Sequence, residues 1–357
     1  MLRAPYNLYD ATMTHESRYR VRTALLVVLA LIVAACGSDA DADWSEGSHS
    51  IVLYSGRDKE LVQPLIDAFT ESSGITVEAR YADSAELALL IQTEGDNSPA
   101  DVFISQSPGA LGLLAGEDRL ATLPDDLLGL VDAGFAASGG RWVGLSGRVR
   151  VVVYNAELVD PGDLPTSVLE LAGAAYAGRV AVAPTNGSFQ DFVTAMRSEL
   201  GDQATLAWLE GLAANRAPNY PKNSAIVEAV GRGEVEMGLV NHYYNLRALE
   251  ADPSVASVNH FLPAGDVGSL VIVTGGAVLA SSDASSQGED LLRYLLSIDA
   301  QSTFSTQTQE YPLLDGVAAP DGLPALSGYA ADTIDYDLLG DGLTGTIELI
   351  RESGIEQ

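Results

Sequence analysis

The chain has 357 residues, of which 47% are hydrophobic, and this apolar content is sufficient for ordinary globular cores. Its formal net charge of −30 argues against a nucleic-acid partner, because an acidic surface repels the phosphate backbone. An acidic surface also keeps an exposed protein soluble, so the charge by itself assigns no function. Cys36 is the single cysteine, which excludes a disulfide within the chain.

An export signal is predicted at the N-terminus. Residues 24–35 read ALLVVLALIVAA, and three arginines precede this run between residues 18 and 22. A positive region followed by a short apolar core is typical of a secretory signal, and a membrane span needs about 20 apolar residues. Residues 33–36 (VAAC) resemble the bacterial lipobox, which implies cleavage before Cys36 and a lipid on its sulfur. An uncleaved anchor helix is the alternative, and translation starts at either Met1 or Met13.

The sequence predicts alternating strands and helices after residue 50 and a flexible linker at residues 36–49. In the first part of the chain, β-branched runs predict strands at 51–54, 75–81 and 101–105. Apolar spacing predicts a helix over 59–72 and further helices that start at Ser84 and Pro108. This βαβαβ order favours an α/β fold with a mostly parallel sheet covered by helices.

The second part of the chain repeats the alternation. Predicted strands are 150–155, 180–183, 236–240 and 270–279, and predicted helices are 189–200, 203–213, 225–232, 288–296 and 300–307. The roughly 320 residues after the signal suit two domains. One interpretation is that residues 50–148 with 270–357 build one domain and residues 149–269 build the other. Two crossing strands would then form a hinge beside a ligand cleft.

No catalytic motif is present. The chain lacks GxSxG, a P-loop, GxGxxG after a strand and HExxH, and it has only four histidines. We therefore expect a binding protein and not an enzyme.

The most informative cluster is Asn241-His242-Tyr243-Tyr244-Asn245, which follows a predicted strand and opens a predicted helix. At such a corner both phenols can point into one cleft, and phenolate oxygen is a hard anionic donor suited to ferric iron. The metal must displace a phenolic proton whose pKa is near 10, so we expect binding to weaken as pH falls. Packing of the two rings at a domain surface is the alternative.

Three further segments place polar groups between a strand and a helix. Residues 184–189 (PTNGSF) and 222–224 (KNS) offer N–H and hydroxyl groups that hold an anion or simply cap a helix. After the first strand, Arg57 could face an anion and Asp58 a metal, or both could be solvated residues of the first helical turn.

These segments occur together, in this order, in one known family. The stretches YSGRDKE, SPADVFIS, WVGLSGRVRVVVY, APTNGSF, YPKNS, LVNHYYN and EYPL resemble those of bacterial periplasmic ferric-binding proteins, the iron(III) receptors of ABC importers. The resemblance covers nearly the whole chain after the linker. It implies a type II periplasmic binding protein fold, in which two α/β lobes joined by hinge strands enclose a cleft. It also implies that the chain delivers Fe³⁺ to a permease.

The resemblance assigns site residues position by position. Tyr243 and Tyr244 match the paired tyrosinate ligands. Residues matching the site of a synergistic anion (carbonate, phosphate or citrate) and its neighbours are Asn186, Gly187, Ser188, Asn223, Asn241 and Arg148. Asp58 stands where many members have a histidine ligand, and Gln106 stands where some have a glutamate, so Asp58 is a candidate ligand while Gln106 and Arg57 are possible cleft residues.

We expect a monomer, exported and lipid-anchored through Cys36 on the extracytoplasmic face of the membrane, with an ABC permease as partner. Two other hypotheses stay open at this point. The same fold could bind an organic ligand such as a polyamine, an amino-phosphonate or thiamine, or the scaffold could be a secreted hydrolase.

Overall fold

The computed structural model describes residues 50–326 and 336–357. The predicted signal and Cys36 lie outside the described residues. The strands are β1 (Ser50–Ser55), β2 (Thr76–Tyr81), β3 (Val102–Ser105), β4 (Val143–Asn155), β5 (Val180–Ala181), β6 (Met237–Asn241), β7 (Ser257–His260) and β8 (Val271–Val278). The α-helices are α1 (Lys59–Ser73), α2 (Ser84–Glu94), α3 (Pro108–Gly116), α4 (Asp125–Leu128), α5 (Gly187–Leu200), α6 (Asp202–Ala214), α7 (Asn223–Gly231), α8 (His242–Ala251), α9 (Ser285–Leu295), α10 (Ile298–Thr306) and α11 (Tyr336–Glu352).

Helix α1 illustrates how the sequence pattern forms an element. Its apolar residues at helical spacing are buried, as predicted, and the helix ends before Gly74. Gly74 has a φ of 76°, and its backbone N–H donates to the carbonyl of Thr70. Glycine adopts this left-handed conformation without a Cβ penalty, which makes it a common helix stop.

The sheet is mixed and not mostly parallel, so that part of the prediction is wrong. Its strand order is β2-β1-β3-β8-β4-β6-β5, and β7 pairs with β4. Strands β1, β2 and β3 run parallel, as do β5 and β6, but β8 is antiparallel to β3 and to β4. The βαβαβ rhythm describes only the first three strands. The direction of β8 is set by where the chain returns to the sheet, which local periodicity does not encode.

Strand β4 joins the two parts of this sheet. Its first half, through Val149, pairs with β8, and from Arg150 onwards it pairs with β6. At this exchange of partners, Arg150 N–H donates to the carbonyl of Leu270. All 13 residues of β4 are buried. The predicted domain boundary at residues 148/149 lies one residue before this point and stays a prediction.

Helix α11 packs closely against α3 and α5. The hydroxyls of Thr194 and Thr346 are 2.7 Å apart, and the Arg197 guanidinium donates to the carbonyl of Gly342 at 2.8 Å. A Cβ on Gly340 would lie 2.4 Å from the backbone of Gly112, so the two helices approach too closely for any side chain there. None of the helices in the described ranges is long and apolar enough to cross a membrane.

Candidate functional site

A cleft of about 610 Å³ opens beside the start of α1. It brings together residues from distant parts of the chain, and those named in the sequence analysis are Arg57, Asp58, Gln106, Asn186 and Tyr244. Its other lining residues are Gly56, Lys59, Glu60, Leu61, Tyr81, Ala82, Asp83, Glu86 and Lys222. The lining is therefore mostly polar and carries both signs of charge.

The two tyrosines stack at the first turn of α8. Their ring centroids are 4.1 Å apart with an interplanar angle of 30°. Tyr243 is fully buried, whereas Tyr244 is half-buried and lines the cleft. The Gln106 side-chain amide donates to the Tyr244 hydroxyl at 3.3 Å, and burial together with the neighbouring Tyr243 raises the pKa of Tyr244 well above its usual value. Ionisation of these phenols is therefore unfavourable. A cation that replaces the phenolic protons would offset this cost, because its positive charge stabilises the phenolates.

Arg57 contacts Tyr243. Its NH1 group lies 3.4 Å from the Tyr243 hydroxyl, and its guanidinium carbon is 5.4 Å from the ring centroid. Its NH2 group forms a 2.8 Å ion pair with Glu310, and both side chains are almost completely buried. Burial by itself would lower the pKa of Arg57, but the charge of Glu310 and the neighbouring phenols raises it above the ordinary value. Arg57 is thus a charged residue of the interior and not a solvated residue of the first helical turn.

The predicted anion-binding residues form a hydrogen-bonded cluster next to the cleft. Asn186 is the N-cap of α5, and its side-chain oxygen accepts from the N–H and the hydroxyl of Ser188 at 3.2 and 2.7 Å. The Asn223 amide donates to Asn186 and to the Ser188 hydroxyl, both at 3.3 Å. The capping interpretation of Asn186 is therefore correct, and the same residue also lines the cleft.

Several buried polar atoms in this region have no hydrogen-bond partner among the described residues. They include Asn223 Oδ1, both side-chain amide atoms of Asn241, Arg57 Nε, Nε and NH2 of Arg148, and Nε of Arg150. Buried polar groups are normally paired, so this concentration of unpaired donors and acceptors is typical of a site that accepts a polar ligand.

Two arginines project from the same face of β4. Arg148 is fully buried and donates to the Thr274 hydroxyl at 2.7 Å, and it is not among the residues that line the cleft. Arg150 donates to the carbonyls of Ser188 and Leu239 at 3.3 and 3.4 Å. Burial lowers the pKa of both, and that of Arg150 falls to about 9. Arg150, which the sequence analysis did not single out, is thus the arginine in contact with the predicted anion loop.

His242 connects the tyrosine pair to the place where β4 changes partners. Its Nε2 donates to the carbonyl of Gln309 at 2.9 Å, and its Nδ1 accepts from the N–H of Val149 at 3.1 Å. Burial lowers the pKa of His242 to about 4, because a charged ring would lose its water while gaining no carboxylate partner. The imidazole is therefore neutral and structural at neutral pH.

The acidic residues offer only a partial metal site. Asp58 is exposed just before α1 and lines the cleft together with Tyr244. Across residues 50–326 and 336–357, no group of three or more His, Cys, Asp or Glu side chains could hold a metal ion. A metal centre in this cleft would take its protein donors chiefly from phenol oxygens.

Glu310 and Arg150 are not predicted as site residues from the sequence. Glu310 belongs to the EYPL stretch, whose resemblance to the family assigns it no role. Arg150 lies two residues after Arg148, and alternate residues of a strand share one face, so this spacing was an available signal. The residues that Glu310 and Arg150 contact, Arg57 and Ser188, are distant from them in the sequence.

Comparison with known proteins decides the family. Residues 97–340 match the family model described as bacterial extracellular solute-binding protein. The chain belongs to this family. The solute-binding protein is 31% identical over 339 residues to the Fe(3+)-binding periplasmic protein of Serratia marcescens, covering 94% of this chain and 99% of that relative. It is 33% identical over 341 residues to the major ferric iron-binding protein of Neisseria meningitidis serogroup B, with the same coverage.

Solved structures agree with the fold. Iron-bound HitA from Pseudomonas aeruginosa superposes with a TM-score of 0.82 at 32% identity, covering 85% of this chain and 99% of that one. The iron and citrate complex of a Trichodesmium protein gives 0.72 at 27% identity, with the same coverage. The predicted resemblance to ferric-binding proteins and the two-lobed type II fold are therefore confirmed.

Proposed function

We propose that this solute-binding protein binds ferric iron together with a synergistic anion in the cleft, closes around them, and delivers the iron to an ABC permease. Tyr243 and Tyr244 would supply phenolate ligands, with Asp58 as a further oxygen donor. The observation that carries the proposal is the stacked tyrosine pair at the first turn of α8, with Tyr244 in the cleft and Tyr243 against Arg57. The proposal is supported by several relatives whose names state that they bind ferric iron.

The anion would lie beside the start of α5. Asn186, Gly187 and Ser188 would hold it there, with Asn223 and Asn241 supplying the polar atoms that have no partner among the described residues. Arg148 and Arg150 would balance the negative charge of the anion, since both are buried cations without an ion pair in the described part of the chain. Carbonate, phosphate and citrate all fit this chemistry, and one structural neighbour was solved with iron and citrate.

Membership of the solute-binding family supports delivery to a permease, and the lack of a catalytic motif in the sequence supports a binding protein and not an enzyme. Anchoring through a lipid on Cys36 would keep the protein close to that permease and raise their effective concentration. We infer that the lobes are residues 50–148 with 270–357 and residues 149–269, with the hinge where β4 passes from β8 to β6.

The test is a titration of purified, metal-free protein with ferric citrate, followed by visible spectroscopy. We expect a tyrosinate-to-iron charge-transfer band that saturates at one iron per protein. The Tyr243→Phe, Tyr244→Phe double variant should lose the band, because each change removes only the donor oxygen. Tyr176→Phe is the matched control, since Tyr176 is a buried tyrosine packed near Arg179 and away from the cleft.

A band that survives in the double variant would refute the assignment of these ligands. A colourless wild-type protein that is stabilised thermally by a polyamine or an amino-phosphonate, but not by iron, would favour an organic ligand in the same cleft.

A further inference from the structure

A buried carboxylate outside the proposed ligand set lies behind the tyrosine pair. Glu310 has no exposed surface, and its ion pair with Arg57 is 2.8 Å long. Its Oε1 accepts from the Ser146 hydroxyl at 3.1 Å, and its Oε2 accepts from the Thr308 hydroxyl at 2.9 Å. Both oxygens are therefore engaged, and the carboxylate is held in one orientation.

The backbone that carries Glu310 is fixed on each side. Tyr311 and Gly147 exchange backbone hydrogen bonds of 2.8 and 2.9 Å. Gln309 has a φ of 61°, which is unfavourable for a residue with a side chain unless its surroundings hold it there. His242, adjacent to Tyr243, donates to the carbonyl of Gln309. The segment is thus tied both to β4 and to the residue that precedes the tyrosine pair.

Arg57 lies between Glu310 and Tyr243 and contacts both. One amino group of its guanidinium faces Glu310, and the other lies 3.4 Å from the Tyr243 hydroxyl. Without the carboxylate, the charge of Arg57 would stand beside a ligand of a trivalent cation, with a second buried cation, Arg148, nearby. In an interior of low dielectric such a charge is felt strongly, since little water is present to screen it.

We propose that Glu310 is a positioning residue for metal binding, which holds Arg57 against Tyr243 and cancels the charge that would otherwise repel ferric iron. This inference rests on the proposed function, because it requires Tyr243 to bind the metal. Glu310 is not among the residues that line the cleft, and its side chain bonds to Arg57, Ser146 and Thr308.

The experiment compares charge-balanced and charge-unbalanced variants by iron affinity, measured in competition with citrate, and by the position of the charge-transfer band. Glu310→Gln keeps the shape of the side chain but leaves Arg57 uncompensated. We expect it to weaken iron binding on the order of tenfold or more. We also expect the band to move to shorter wavelength, because an uncompensated cation beside the phenolate stabilises its electrons. The Arg57→Gln, Glu310→Gln double variant removes both charges and should regain most of the lost affinity.

Two controls separate this role from a general loss of structure. Glu236→Gln breaks the 2.6 Å pair with Arg179 far from the cleft, and it should leave the band in place. Glu310→Asp keeps the charge and should retain the wild-type band. If Glu310→Gln does not fold, Glu310→Asp and the balanced double variant carry the test, since both preserve the charge balance and both should bind iron; a folded form of either that loses the band would overturn the role of Glu310.

The outcomes distinguish the two proposals. Wild-type protein without a charge-transfer band would refute the proposed function and this inference with it. A normal wild-type band that Glu310→Gln leaves unshifted, at unchanged affinity, would overturn only the role of Glu310. A folded double variant that binds iron no better than Glu310→Gln would overturn it as well.

Discussion

Asp191 provides a sharp test of the electrostatics of the interior. This carboxyl is almost completely buried on α5, where it accepts from the N–H of Gly109 at 3.1 Å and from the Ser107 hydroxyl. The charged or titratable groups that influence it are Arg148 on β4 and Tyr336 on α11. Burial raises its pKa from the ordinary value of 3.8 to about 6, although the hydrogen bonds and Arg148 oppose this rise. The ionised form is therefore disfavoured in the folded protein.

The sign of the effect on stability follows from proton linkage. The folded state binds the Asp191 proton more tightly than the unfolded state does, so the free energy of unfolding falls as pH rises from about 4 to about 6. With about 1.4 kcal/mol for each unit of pKa shift, the loss reaches about 3 kcal/mol at pH 7. Asparagine cannot ionise, keeps an oxygen for Gly109, and can donate to the Ser107 hydroxyl. We expect Asp191→Asn to be more stable than the wild type at pH 7 by up to about 3 kcal/mol, and nearly equal to it below pH 4.

Urea unfolding at pH 4, 5, 6 and 7 measures this difference, with fluorescence and circular dichroism compared as a check on two-state behaviour. Asp202→Asn serves as the control, because Arg197 lowers the pKa of this exposed carboxyl and its small effect should have the opposite sign. A difference between Asp191→Asn and the wild type that does not change with pH would refute the reasoning. A variant that becomes less stable than the wild type as pH rises would show that Arg148 and Gly109 outweigh burial.

Two further predictions concern the packing of α11. Gly340→Ala should destabilise the fold by about 1–3 kcal/mol in thermal unfolding, because the new Cβ meets the rigid backbone of Gly112 at 2.4 Å. Gly116→Ala on α3 is its control and should cost nothing, since nothing lies within 4 Å of that position; equal losses for the two would contradict the packing argument. Thr194→Val and Thr346→Val should each cost about 1–2 kcal/mol, and the double variant should cost about 1 kcal/mol less than their sum, because the 2.7 Å hydroxyl contact is lost only once. Chemical unfolding of the four proteins measures this coupling, and strictly additive losses would mean that the contact contributes nothing.

Much of the local structure could be predicted from the sequence, because the spacing of apolar residues along the chain shows the period of a helix or a strand. Helix α1 and the strand-to-helix corner at Tyr243 lie where the apolar spacing predicts them. Strand β5 is shorter than predicted, since Val182 continues only as an isolated bridge to Asn219. Boundaries of this kind depend on what pairs with the strand, and the partner is distant in sequence.

Some residues of the candidate site were likewise predictable from the sequence, and others were not. Tyr243, Tyr244 and Asn186 were found from the sequence because each belongs to a short motif at the junction of a strand and a helix. For Arg57 the sequence leaves two alternatives open, a cleft residue facing an anion and a solvated residue of the first helical turn, and the side chain is in fact buried against Glu310, 253 residues away.

What the sequence determined by itself is the set of local elements, the acidic composition, the family resemblance and the residue types offered at each corner. The tertiary structure decided the antiparallel direction of β8, the exchange of partners along β4 and the environment of every buried charge. The physical reason is that apolar periodicity is a property of adjacent residues, whereas charge in the interior depends on groups that only the fold brings together. The fold brings Arg57, Glu310 and Tyr243 together in this way, although they lie on three segments that share no local pattern.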